Sequence, residues 1–252
     1  MEKLTSRRNP ICIHVKKLGA SRGFRGESGE FLCDGLKLLE EAVKCGAEIT
    51  VVITASPIPF PLSVDTRVYY AQRELLDSLS PLKNAQDTLF VCKMNKRLAF
   101  TEKKGTHILL DGVQDPGNVG TIIRTADALG ISSVILTGGC ADLYNPKTIR
   151  ATMGAIFRQR VFHMDMPGLA GLRDEGVRFV GASPGGTSVD FSDSIPTDAV
   201  IVVGNEGGGI SDGVKSLCDG MVSIPISAEC ESLNVSVAAA ILMWETARRS
   251  LI

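Results

Sequence analysis

The stretch that decides the fold is Ile201-Val-Val-Gly-Asn-Glu-Gly-Gly-Gly-Ile210, in which three apolar residues run directly into glycines. An apolar run that ends in glycine predicts a buried strand followed by a tight loop. The spacing differs from the G-x-G-x-x-G pattern of dinucleotide-binding turns, and the Glu206 carboxylate would repel a bound phosphate. The loop therefore suits a cationic ligand or a neighbouring arginine, or it is a plain glycine turn with Glu206 in solvent.

On both sides of this stretch, short apolar segments alternate with helical patterns from residue 107 onward. We predict strands at 107–110, 133–136, 160–162, 178–181, 199–203 and 221–224, and helices near 119–129, 147–156, 168–174, 213–218 and 234–250. Such alternation is typical of an α/β domain with a parallel sheet covered on both faces. Ligands of open parallel sheets bind beyond the carboxyl ends of the strands, where the glycine loop lies.

The preceding residues predict a smaller α/β unit. Its elements are a basic helix near 9–18, a mobile glycine-rich segment at 19–26, strands at 30–33, 49–54 and 89–93, and helices at 36–44 and 72–79. Residues 101–106 are polar and lack an apolar anchor, which is typical of a linker. We therefore predict an N-terminal domain at 1–96, a linker at 97–106 and a second domain at 107–252.

Composition limits the classes of protein that the chain can form. Seven scattered cysteines without a CxxC pair, with only three histidines, argue against a disulfide framework or a metal site and for buried thiols in a reducing compartment. The N-terminus lacks the apolar core of a signal peptide, and the longest nearly apolar run, 237–244, is far shorter than the roughly 20 residues that span a bilayer. We expect a cytoplasmic protein with no membrane span and no metal.

The net charge of −1 hides an uneven distribution. Residues 1–104 carry 17 basic and 12 acidic side chains, whereas residues 105–252 carry 10 and 16. The basic excess is concentrated before residue 26, where the candidate contacts for a polyanion are Arg7, Arg8, Lys16, Lys17, Arg22 and Arg25. The alternative is a basic helix with an ordinary solvated face.

A second candidate loop joins the strand at 107–110 to a helix that we expect to begin near Asn118 or Val119. In that helix Gly120 and Arg124 lie on one side, so the glycine leaves room above the guanidinium for a ligand. Alternatively, Asn118 is only a helix cap and Arg124 pairs with Asp127 on the surface.

A third loop follows the strand at 221–224. Pro225 stops that strand, and Ser232-Leu-Asn234 caps an apolar helix. Leu233 lies inside this polar cap and requires an apolar partner, which is either a core residue or the flat face of a bound purine.

Taken together, the three loops resemble the three motifs of the SpoU, or TrmH-like, branch of the SPOUT RNA methyltransferases. The matching segments are Asn118-Val-Gly-Thr-Ile-Ile-Arg124, Val203-Gly-Asn-Glu-Gly-Gly-Gly209, and Ile224-Pro225 with Ser232-Leu-Asn-Val-Ser236. The segment 145–157 also looks like the family's Met-Gly-Ala segment. Residues 1–96 are similar to the family's ribosomal-protein-like domain that binds structured RNA.

The resemblance implies a parallel-sheet α/β catalytic domain whose C-terminal part forms a deep trefoil knot. It further implies an obligate homodimer and S-adenosylmethionine as cofactor. By position, the cofactor-binding residues would be Gly204, Ile224, Ser232, Leu233 and Ser236.

The implied reaction is transfer of the sulfonium methyl group to a ribose 2′-hydroxyl in tRNA or rRNA. The catalytic residues implied are Asn118, Arg124, Glu206, Ser232 and Asn234. Because a guanidinium stays protonated, we expect Arg124 to stabilise the developing alkoxide and not to act as the general base. The sequence does not indicate which group is the general base. The alternative is a catalytically inert RNA-binding module of the same fold.

Overall fold

The computed structural model describes residues 2–94, 100–101, 103–188, 196–227 and 229–251. The chain divides into two compact units, of which the first comprises Met1–Lys96 and Asp142–Arg158. The second comprises Arg97–Ala141 and Gln159–Ile252. The first unit therefore includes a later segment of the chain, 142–158. Within the predicted linker, residues 97–99 and 102 lie outside the described residues.

The first unit contains a five-stranded mixed sheet with the strand order β1-β4-β3-β5-β2. Its elements are β1 (Glu2–Leu4), α1 (Pro10–Ala20), α2 (Arg22–Ser28), β2 (Glu30–Asp34), α3 (Leu36–Lys44), β3 (Ile49–Thr54), β4 (Arg67–Ala71), α4 (Arg73–Leu79) and β5 (Thr88–Lys93). The predicted strands and helices of this unit are confirmed within a few residues. The sequence patterns missed β1 and β4, because both are short and expose polar side chains.

The glycine-rich segment that we predicted to be mobile is instead helical. Ser21 accepts a hydrogen bond from the backbone N–H of Phe24 at 3.2 Å and so caps α2. Gly29, with φ at +64°, ends the helix in the left-handed conformation. A cap at each end therefore outweighs the low helix propensity of the glycines.

The second unit contains a six-stranded sheet in the order β11-β9-β10-β6-β7-β8. Its elements are β6 (His107–Leu110), α5 (Pro116–Ala128), β7 (Ser133–Leu136), β8 (Val161–His163), α7 (Met166–Asp174), β9 (Arg178–Ser188), β10 (Ala199–Val203), α8 (Asp212–Lys215), β11 (Gly220–Ser223) and α9 (Val235–Leu251). Helix α6 (Pro146–Thr152) lies between β7 and β8 in the chain but belongs to the first unit. All neighbouring strands are parallel, which confirms the predicted sheet.

The central strands of this sheet are buried on both faces. Leu109, Val200 and Val202 pack in one core with side chains of α7 and α8, while α9 packs against α5 and β10. Strands β6 and β10 are direct neighbours, with Leu110 opposite Val203. The loops that follow these two strands therefore leave the sheet side by side. Among the described residues, no helix has the length and apolarity needed to cross a bilayer.

A buried ion pair attaches the segment 142–158 to the rest of the first unit. Arg25 is only 3% exposed, and its guanidinium donates to the Asp142 carboxylate at 2.5 and 3.1 Å and to the Leu18 carbonyl at 2.6 Å. Two further ion pairs, Arg150–Asp34 and Arg158–Glu41, join the same segments. The structure thus corrects the prediction that Arg25 contacts RNA, because its charge is buried and already paired.

We expect Asp142→Ala to lower the free energy of unfolding by about 3 to 5 kcal/mol, because it leaves a buried guanidinium without its counter-charge. Urea denaturation measures this loss. Lys44→Ala is the control, since it removes an exposed pair with Glu40 and should cost less than about 1 kcal/mol. Equal losses in the two variants would contradict a structural role for the buried pair.

Candidate active site

Helix α5 begins earlier than the sequence predicted, which changes the role of Asn118. Asp115 is its N-cap and accepts from the backbone N–H of Asn118 at 2.8 Å, and Pro116 follows as the first helical residue. Because Asp115 caps the helix, the Asn118 side chain is available for other bonds. The alternative that Asn118 is only a cap is therefore wrong.

The glycine loop after β10 is closed on itself by Asn205. The backbones of Asn205 and Gly209 exchange two hydrogen bonds of 2.9 Å. The Asn205 side-chain oxygen also accepts from the N–H groups of Gly207 at 2.8 Å and Gly208 at 3.2 Å. Because these N–H groups are already bonded within the loop, they do not form an open cradle for an anion, and the Glu206 carboxylate is tolerated there.

The position of Gly204 admits only glycine. A Cβ atom at this residue would lie 2.1 Å from the carbonyl carbon of Gly209 and 2.2 Å from the backbone nitrogen of Ile210. Both distances are far below van der Waals contact, and both partners are backbone atoms that cannot rotate away. The closed loop therefore depends on the missing side chain of Gly204.

Two polar side chains that the sequence analysis did not single out, Asp111 and Asn205, join this loop to the segment that follows β6. Asp111, which directly follows β6 and is 7% exposed, accepts from the backbone N–H of Ser211 at 2.7 Å and from the Thr137 hydroxyl at 2.9 Å. Asn205 donates to the carbonyl of Gly112 at 2.7 Å. The sequence held two signals for these roles: Asp111 directly follows a buried strand, and Asn205 lies between glycines.

The side chains of all three predicted motifs meet in one hydrogen-bonded chain. Asn118 Nδ2 donates to Glu206 Oε1 at 2.8 Å, and Asn234 Nδ2 donates to Asn118 Oδ1 at 3.1 Å. Asn234 Oδ1 then accepts from the Ser236 backbone N–H at 2.9 Å and the Ser236 hydroxyl at 2.6 Å, which caps α9. Because an ionised carboxylate only accepts, Glu206 fixes the orientation of both amides in turn.

We expect Asn118→Asp to lower kcat roughly tenfold or more near neutral pH, because it places two carboxylates within hydrogen-bonding distance. Activity should partly recover as the pH falls and the pair takes up one proton. The double variant Asn118→Asp with Glu206→Gln should recover activity at neutral pH, since the new amide donates to the new carboxylate.

Measurement of kcat against pH for the two variants checks this expectation. A double variant no more active than Asn118→Asp alone would contradict the role of the hydrogen-bonded chain. The single variant Glu206→Gln is the matched control for loss of the charge.

The other predicted site residues lie on the same three segments. Arg124 is exposed on α5, one turn beyond the buried Gly120. In the described part of the chain no carboxylate forms an ion pair with Arg124, so the alternative of a pair with Asp127 is not observed. Gly204, Ile224 and Leu233 are half-buried, Ser236 is buried and Ser232 is exposed, and no observed bond joins Arg124 or Ser232 to the chain of amides within the described residues.

The cysteines near the sheet are unsuited to nucleophilic chemistry. Burial raises the pKa of the Cys218 thiol to about 11 and also raises the pKa of Cys140. Both thiols are therefore protonated at neutral pH, and the thiolate is the nucleophilic form. All seven cysteines are free. The described residues contain no group of three or more His, Cys, Asp or Glu side chains that could hold a metal ion.

The segment that contains this site matches a known protein family. The model of the SpoU rRNA Methylase family covers residues 105–244, which include all three motifs. The chain belongs to the SpoU rRNA methylase family. The resemblance predicted from the three motifs is thereby confirmed.

Relatives of this SpoU-family protein match it over nearly its whole length. The 23S rRNA (guanosine(2553)-2'-O)-methyltransferase RlmP of Bacillus subtilis is 32% identical over 249 residues, covering 97% of this chain and 98% of the relative. A TrmH-family RNA methyltransferase structure from Porphyromonas gingivalis has a TM-score of 0.87 at 32% identity, covering 98% of this chain and all of that one. An AdoMet-bound rRNA methyltransferase from Sinorhizobium meliloti has a TM-score of 0.87 at 29% identity, covering 100% and 98%.

Proposed function

We propose that this SpoU-family enzyme methylates a ribose of the large ribosomal RNA. The protein transfers a methyl group from S-adenosylmethionine to a ribose 2′-hydroxyl of RNA, and the predicted enzyme class and cofactor are confirmed by the relatives above. The choice of large-subunit RNA is supported by the 23S rRNA named for RlmP. The observation that carries the proposal is the hydrogen-bonded chain of Glu206, Asn118 and Asn234, which joins the three motifs.

The closed glycine loop fits a cofactor that carries a sulfonium charge and no phosphate. The N–H groups of the loop are bonded within it, and Glu206 adds a negative charge that would repel a dinucleotide. Half-buried Ile224 and Leu233 offer apolar contact to an adenine, and Gly204 keeps the loop closed. When bound, S-adenosylmethionine supplies the electrophilic methyl group.

The residues of this chain contribute positioning and electrostatics. Arg124 is an exposed cation, so it can hold a phosphate of the RNA and stabilise negative charge on the 2′-oxygen as its proton leaves. Asn118, oriented by Glu206, fixes the start of α5 relative to α9. Ser232 is exposed and free to contact ligand, whereas the Ser236 hydroxyl donates to Asn234 and so acts through the cap.

The alternative of a catalytically inert RNA-binding module has little support. The motif positions 118, 124, 206, 232 and 234 all carry polar side chains, and three of them are joined in one network. A module without catalysis would not need these side chains in this arrangement.

The proposal includes a homodimer formed through α9. Val237 and Trp244 are each 48% exposed, and with half-buried Ile241 between them they form an apolar stripe at i, i+4 and i+7. A solvent-facing stripe of this kind indicates a protein partner, and a second copy of the chain is the partner that the family implies. The deep trefoil knot and the cytoplasmic location belong to the same proposal, the latter supported by seven free thiols.

We expect Trp244→Glu to shift the protein from dimer to monomer, because it replaces the largest apolar side chain of the stripe with a charge. Sedimentation velocity measures the change, and activity should fall with the dimer. Val64→Glu is the control, since Val64 is 99% exposed in the first unit. A dimer that persists at low micromolar concentration in Trp244→Glu would contradict this interface.

Mapping of ribose methylation in total RNA from a deletion strain and its parent tests the proposed function. We expect one 23S rRNA position to lose its methyl group and to regain it on complementation. Loss confined to a tRNA would overturn the proposed target, and no loss in any RNA would overturn the activity in the cell.

A further inference from the structure

A small cleft lies on the first unit, between the outer face of α1 and the end of α4. Its volume is about 160 Å³, several times the roughly 30 Å³ that a water molecule occupies in the liquid. The residues that line it are Arg7, Ile13, Lys16, Lys17, Ser78 and Leu79. The cleft thus has room for a planar group of the size of a nucleobase.

The floor of the cleft is apolar. Ile13 is 44% exposed, whereas Cys12, Val15 and Leu18 of the same helix are almost completely buried in the core of the unit. Leu79, at 3% exposure, forms the adjoining wall. Ile13 is not among the residues of this core, so the exposed part of its side chain is available to a ligand.

The rim of the cleft is cationic. Among the described residues no carboxylate forms an ion pair with Arg7, Lys16 or Lys17, although Lys44 and Arg73 of the same unit are paired. The Lys17 ammonium lies 5.4 Å from the centroid of the Phe24 ring, which restricts its position beside the cleft. Three cations without counter-charges therefore surround an apolar floor.

We propose that this cleft binds one unstacked nucleotide of the substrate RNA, with the base against Ile13 and Leu79 and the flanking phosphates on Arg7, Lys16 and Lys17. The assignment rests on the proposed function, in which the substrate is RNA. A nucleotide combines an apolar face with an adjacent anion, as the cleft combines an apolar floor with a cationic rim. The Ser78 hydroxyl donates to the Leu75 carbonyl at 2.7 Å, so its oxygen remains an acceptor for a base amino group.

Substitutions in the full-length protein distinguish a nucleotide-binding subsite from a surface that is only basic. Ile13→Ser keeps every charge and removes the apolar floor, whereas Lys16→Gln with Lys17→Gln keeps the floor and removes two charges. Val64→Ser is the control for loss of an exposed aliphatic side chain elsewhere. Deletion of the basic segment is unsuitable, because it would remove core residues of α1.

Two probes are compared by titration over a range of salt: a short single-stranded RNA oligonucleotide, and inorganic polyphosphate of similar charge, which has no bases. We expect Ile13→Ser to weaken RNA binding about fivefold to tenfold without changing the salt slope or polyphosphate binding. The double lysine variant should weaken both probes and lower the salt slope by roughly 0.7 per lost contact. Ile13→Val should restore RNA binding to near the wild-type level.

Wild-type RNA affinity in Ile13→Ser would overturn the subsite, as would an equal loss for RNA and polyphosphate. Failure of the proposed function is distinguishable, since it would appear as absent methyl transfer while the oligonucleotide still binds. Calorimetric binding of S-adenosylmethionine should be unchanged in all four variants.

Discussion

Gly204→Ala is expected to abolish S-adenosylmethionine binding and to lower methyl transfer roughly a hundredfold or more. The added Cβ would lie 2.1 to 2.3 Å from three backbone atoms of Gly209 and Ile210, so the loop could not close as it does now. Opening the loop would break the paired hydrogen bonds between Asn205 and Gly209 and move Glu206 away from Asn118. Isothermal titration calorimetry and single-turnover methyl transfer measure the two losses.

Gly208→Ala is the matched control in the same loop. A Cβ atom at Gly208 would meet nothing within 4 Å, and its backbone is not in the left-handed region. This variant should therefore retain most of the binding affinity and activity. Wild-type cofactor affinity in Gly204→Ala, or an equal loss in both variants, would contradict the proposal that loop closure at Gly204 forms the cofactor site.

Arg124→Ala is expected to lower the rate of methyl transfer about a thousandfold while cofactor binding stays within a few-fold of wild type. In the proposed mechanism the guanidinium stabilises charge that develops only as the 2′-oxygen attacks, so its loss should lower kcat. The exposed position of Arg124 on α5 leaves its donors available to the RNA. Single-turnover kinetics at saturating RNA isolates this step.

Arg124→Lys tests whether charge alone is sufficient. Lysine retains the charge but lacks the planar fork, so we expect it to restore only part of the rate. Arg178→Ala, which removes an exposed arginine of the same unit, should leave the rate unchanged. Substantial activity in Arg124→Ala would remove this residue from the proposed mechanism.

Local patterns were sufficient to predict most elements and the parallel sheet. Strands β3, β6, β7 and β10 were predicted at their observed bounds, because strands buried on both faces are continuous apolar runs. Such patterns could not predict the order of the strands in the sheet. Strand β10 lies between β6 and β9, and this placement depends on contacts between segments far apart in the chain.

The sequence placed Asn118, Glu206 and Asn234 in one candidate site, but it could not predict the hydrogen bonds that join them. Asn118 and Asp115 both have the side chain of an N-cap, and Pro116 directly after Asp115 was the signal that favours the latter. Arg25 could not be distinguished from its basic neighbours, because its burial depends on Asp142, which lies 117 positions later. Such a pairing has no local signature.

The first unit is built from two separate stretches of the chain, which affects how it folds during synthesis on the ribosome and how it can be exchanged between proteins. A nascent chain that ends near residue 96 does not yet contain Asp142 and Arg150. Arg25 and Asp34 therefore cannot form their ion pairs with these residues until the segment 142–158 has been synthesised. A chimera that exchanges only the N-terminal part between relatives would lose these partners. A chimera that transfers the unit intact must exchange both 1–96 and 142–158.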